Sequence, residues 1–140
     1  MSIQEIQMMA AYMTIHSDDR KECECIGSML MNKAISAMGE GGIAESTPAL
    51  DNDDKKKEFF DLMNEKAEKD KLDEYKRNLI IASAIMLGNI KDETGGATEF
   101  SKDKMPKSYK SKNYHFYTPQ AEEVISATTK SSKGRKTKKG

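Results

Sequence analysis

From Leu79 to Leu87 the chain reads Leu-Ile-Ile-Ala-Ser-Ala-Ile-Met-Leu and then meets Gly88-Asn89. Traced back through Tyr75 and Leu72, the apolar residues 72, 75, 79, 82, 86 and 87 recur at helical steps. That spacing predicts an α-helix with Gly88 placed to end it. Because its latter half is nearly all apolar, this helix is expected to be the most buried element, with the others packed around it.

Ser2-x-x-Glu5 reads as a capping box, and Ile3, Ile6, Met9, Ala10 and Met13 share one helical face behind it, giving a first helix from about Ile3 to Ile15. Asp19-x-x-Glu22 is a second box. It opens a helix carrying Ile26, Met29, Leu30, Ala34 and Met38 that stops before Gly39 and Gly41-Gly42. Residues 39 to 54 lack periodicity and read as a long surface loop. Phe59, Phe60, Leu62 and Met63 mark a short third helix, and Glu65 to Lys71 a solvated, mixed-charge stretch. Ala97 to Phe100 and Asn113 to Tyr117 predict two strands of a small antiparallel sheet. Thr118-Pro119 is a start signal for a last short helix, Gln120 to Ala127, and the tail from Thr128 has no apolar residue with which to build a core. The fold class is thus α+β and mainly helical: a single domain over residues 1–117, then a short helix and a basic tail over 118–140.

A length of 140 residues suits one domain with one modest core. Basic and acidic residues number 23 each, so no global field favours nucleic acid or an anionic surface. Six of the basic residues lie after Tyr117, where they can contact a polyanion or simply solubilise the end of the chain. The ten methionines fall at helical spacing and read as flexible core filler. No run reaches the roughly 20 apolar residues of a bilayer span, and the start lacks the layout of a secretory signal. A chain made and kept in a cytoplasm, unless something releases it, is the expectation. Cys23 and Cys25 are one residue apart, so a disulfide between them would be strained, and a reducing compartment follows. On a helix the two thiols point nearly to opposite sides, which argues against a shared metal ion completed by His16 and His115. Neither a metal nor a cofactor is expected.

Two stretches together resemble the bacterial and phage cell wall hydrolases related to the spore-cortex-lytic enzymes. The first is the apolar helix, Thr94-Gly95-Gly96-Ala97-Thr98-Glu99-Phe100 and the closing Tyr114-His115-Phe116-Tyr117; the second is Tyr12 to Lys33, with Asn32-Lys33 on the family's Asn-Arg pair. The resemblance implies a lysozyme-like domain. It sets Thr14 where the family carries its catalytic glutamate and Asp18 where it carries the second, and a hydroxyl is too weak an acid to replace a carboxyl. Asp18 can serve as a displaced acid or as a helix cap. Glu99, on an aromatic-flanked strand, can be a desolvated acid or a solvent-facing edge residue. His115 can orient a carboxylate, touch substrate or be structural; Tyr114 and Tyr117 offer stacking surfaces, and alternation puts Tyr114 with Phe116 and His115 with Tyr117. Thr14, Asp18, Glu99 and His115 are expected to line one groove, with Asn32, Tyr114 and Tyr117 beside it. The implied function is that of a phage-encoded, peptidoglycan-directed protein cleaving glycan strands as a lytic transglycosylase or glycosidase. The alternative is a virion structural or interaction protein on the same fold with catalysis lost, its partners being peptidoglycan or virion proteins.

Overall fold

The computed structural model describes residues 2–36, 42–43, 47–48, 50 and 52–119. The expected helix at Gln120 to Ala127, the basic tail and half of the 39–54 loop lie outside them. Four helices, α1 (Ile3–His16), α2 (Arg20–Ser36), α3 (Asp53–Met63) and α4 (Lys69–Met86), precede three short strands, β1 (Glu99–Ser101), β2 (Tyr109–Lys110) and β3 (His115–Tyr117). The domain is α+β and mainly helical. Among the described residues, no helix is long and apolar enough to cross a membrane.

The helix starts follow the local chemistry. Ser2 accepts from the Glu5 amide and the Glu5 carboxylate reaches back to Ser2, so the first capping box forms as expected. Asp19 accepts from the Glu22 amide at 2.8 Å, but the Glu22 side chain turns elsewhere. Asn52 caps α3 through the Lys55 amide.

α1 packs on α4, α2 and α3 and is the hub of the core, an unbroken buried run from Met9 to Ile15. Gly27 lets α2 come close: a Cβ there would lie 2.5 Å from Ile85 Cδ1 and 3.3 Å from Met13 Sδ. The expectation that α4 is the most buried element is corrected. Ile81, Ala82, Ile85 and Met86 face the core, whereas Ile80 is 73% and Leu87 70% exposed. Among the described residues α4 packs on α1, α2 and α3, and Ile80 and Leu87 lie away from those contacts, in solvent.

The sheet has three strands, not two, in the order β1-β3-β2, all antiparallel. β2 is the added one, lying between the two expected strands. Phe100 pairs with Phe116 in register and stacks on it at 5.8 Å. Tyr114 and Phe116 are buried while His115 and Tyr117 are half-buried, the alternation expected of the strand.

Candidate functional site

Thr14 does not line a groove. It is 1% exposed, donates to the Ala10 carbonyl at 2.8 Å and accepts from Asn78 Nδ2 at 2.9 Å. Tyr12 and His16, one helical turn apart, face the sheet through Phe100, and Thr14 lies two residues from each and therefore on the other side of α1, against α4. The expectation that Thr14 binds substrate is thereby corrected. Asn78 also donates to Cys23 Sγ at 3.6 Å, so this is a closed polar cluster inside the core. Burial pushes the Cys23 thiol up to about 11, against the nearby Arg77 charge, and the Cys25 thiol up to about 12. Both are protonated, inert thiols at neutral pH.

Glu99 lies on the outer face of the sheet. It pairs in register with Tyr117, next to the Ser101–His115 pair, so Glu99, His115 and Tyr117 do share a face. The carboxylate forms an ion pair with Lys33 at 3.1 Å and its side chain is 34% exposed. Of the two readings of Glu99, its ion pair and its exposure favour the edge residue. His115 Nδ1 lies 3.3 Å from Ser108 Oγ. Tyr114 points the other way, into the core, with its hydroxyl donating to the His16 carbonyl at 3.4 Å. Asp18 is exposed and sits 3.7 Å from Lys112, leaving the cap to Asp19. The proposed catalytic pair, Glu99 and Asp18, is thus tied to two different lysines on α2 and on the β2–β3 connection.

Asn32 acts as a structural clamp. Its amide donates to Asp92 Oδ2 at 2.8 Å and to the Ala97 carbonyl at 3.1 Å. Asp92 also accepts from the Thr94 amide and hydroxyl and from the Gly96 amide, which curls Thr94-Gly95-Gly96-Ala97 around one carboxylate. Gly95 and Gly96 have φ of +70° and +91°, a conformation that disfavours any side chain. Burial would raise the Asp92 carboxyl, but the Thr94 hydroxyl, Asn32 and the two amides outweigh it and hold it below the ordinary range. The Asn-Lys pair and the Gly-Gly-Ala segment therefore meet, Asn32 at the turn and Lys33 at the strand. An Asp two residues before Thr and four before Gly was the signal for this Asx-type turn. Asp92→Ala should lower stability by about 2 kcal/mol, since several charge-assisted bonds go at once. Urea denaturation checks this, and a loss under about 0.5 kcal/mol, the level of a neutral surface change, would show that the turn holds without the carboxylate.

Glu22 is the functional-looking acid that sequence spacing missed. Its side chain is fully buried, yet it faces the β2–β3 connection. Oε2 accepts from the Ser111 hydroxyl and the Asn113 amide, and Oε1 from Asn113 Nδ2 at 2.9 Å. Burial pushes the carboxyl up, and the bonds from Ser111, Asn113 and Ser17 overcome that push and hold it low. Such a group is a fixed anion, the reverse of what a general acid requires. Among the described residues, no cluster of His, Cys, Asp and Glu is arranged to hold a metal ion.

Compared with models of protein families, with curated proteins and with solved structures, the chain shows no significant match to any of them.

Proposed function

We propose that the chain is a non-catalytic interaction protein built on a domain of the cell wall hydrolase type, a virion component directed at peptidoglycan or at neighbouring virion proteins. One observation carries the reading: the position that would hold the acid is Thr14, sealed in the core with both hydrogen-bonding capacities used. That Glu99 and Asp18 are each ion-paired, with Lys33 and with Lys112, supports the same reading. The meeting of Asn32-Lys33 with the Gly-Gly-Ala segment supports the resemblance at the level of scaffold.

The runner-up is an active glycan-cleaving enzyme using Glu99, favoured by its position beside His115 and Tyr117 on one sheet face. Purified protein incubated with several peptidoglycan types separates the two. The expected result is no soluble fragment above a blank, with Glu99→Gln and Asp18→Asn indistinguishable from the parent. Fragment release by the parent that Glu99→Gln abolishes at unchanged Tm would establish the enzyme instead.

A further inference from the structure

Between α1, the start of α3 and the inner face of the sheet lies a cleft of about 240 Å³. Four rings line it, Tyr12, His16, Phe100 and Tyr114, together with Leu50, Lys55 and Lys102, and no carboxylate is among its described lining residues. The rings are braced against one another. Tyr12 and His16 lie 4.2 Å apart, Phe100 and Tyr114 4.8 Å, and Phe100 also meets His16 edge-on at 5.5 Å. His16 is further fixed because its Nδ1 bonds the Tyr12 carbonyl at 2.8 Å; a carbonyl only accepts, so that nitrogen carries the proton.

The charge is one-sided. Lys102 Nζ stands 5.9 Å from the centroid of the Tyr114 ring, and neither it nor Lys55 forms an ion pair with a described carboxylate. Lys33, Lys57, Lys69, Lys71 and Lys112 each hold an acid, whereas Lys55 and Lys102 are among the basic residues that pair with no described one. Two ammonium groups with no described carboxylate beside them, set next to a wall of rings, form a setting for one flat ring to stack and one anionic group to bind. The cavity has room for a ring and its substituent but not for a string of them.

We propose that this cleft is a binding site for a single flat ring bearing a phosphate or a carboxylate. The site is independent of the reading given above, since it uses neither Glu99 nor Asp18 and needs no bond cleavage. The test is an NMR titration of the full chain with adenosine monophosphate and, separately, 4-hydroxybenzoate, with adenosine and inorganic phosphate as half-ligands. At least one of the two ring anions should shift the ring signals of Tyr12, His16, Phe100 and Tyr114, and which of them does so distinguishes a phosphate from a carboxylate source. Each half-ligand should bind roughly tenfold more weakly or worse, and Lys55→Ala with Lys102→Ala should weaken the ring anion about tenfold, as should added salt in part. Both substitutions are at solvent-accessible side chains, and an unchanged melting curve verifies that the fold survives. The proposal is overturned if neither ring anion shifts these signals at millimolar concentration, if adenosine binds as well as its phosphate, or if the double variant binds like the parent.

Discussion

Thr14→Glu is expected to unfold the domain rather than equip it with an acid. The side chain it replaces has no exposed surface to speak of, so the added carboxyl must enter the space between Ala10, Asn78 and Cys23. Overpacking there costs about 1–3 kcal/mol, and burial of an unpaired carboxyl adds several more. The sum approaches the whole stability of a domain this size, about 5–15 kcal/mol. Thr14→Val is the milder control: it keeps the volume but leaves Asn78 Nδ2 with only the weak Cys23 Sγ acceptor, at about 1–3 kcal/mol. Circular dichroism melts of the two variants, with peptidoglycan turnover measured alongside, decide the matter. A Thr14→Glu protein that melts like the parent and releases wall fragments would mean that Thr14 opens to a cleft after all.

Glu22→Gln should destabilise by about 3 kcal/mol, because it sets an amide donor and a neutral oxygen among groups that all donate. The pH dependence gives the sharper test. The folded carboxyl lies below the ordinary glutamate value of 4.5, so it binds fewer protons than the unfolded chain does around that pH. Its contribution is therefore complete above about 4.5 and is lost as the pH falls through the lower folded value. Asp92 acts in the same direction. Urea midpoints measured from pH 7 down to 3 should fall steeply for the parent and less steeply for Glu22→Gln. Parallel curves would show that Glu22 titrates alike in both states and contributes no such linkage.

The helices were legible because each carries its own signal: a cap at Ser2 or Asp19, a stripe at Met9, Ala10 and Met13, and Gly88 after α4, where φ is +76°. What periodicity cannot state is how many neighbours a helix will have, and Ile80 and Leu87 lie exposed for that reason. β2 escaped notice because Tyr109–Lys110 is too short to alternate. The candidate site was legible only in part. Glu99, His115 and Tyr117 share a face because register fixes it, while Thr14 was misplaced because a resemblance gives the order of residues along α1 and not the side to which each points. Its two-residue offset from Tyr12 and His16 held the answer. Glu22 had a valid local reading as the partner of Asp19, and nothing nearby reveals that its carboxylate is used by Ser111 and Asn113, 89 and 91 residues away.

That separation also orders the assembly of the molecule. As the chain is synthesised from its N-terminus, α1 and α2 are complete long before Asn113 exists, and until then the Glu22 carboxylate has only water and its near neighbours to solvate it. Burying it as an anion before those partners arrive would strand a charge, so closure of the α1–α2 pair around that carboxylate is expected to be coupled to the β2–β3 connection. The long loop this contact closes makes it one of the slower events to satisfy. The buried carboxylate thus ties the N-terminal corner of the domain to a segment about ninety residues further along, and a chain cut before Ser111 is expected to leave that corner unsatisfied.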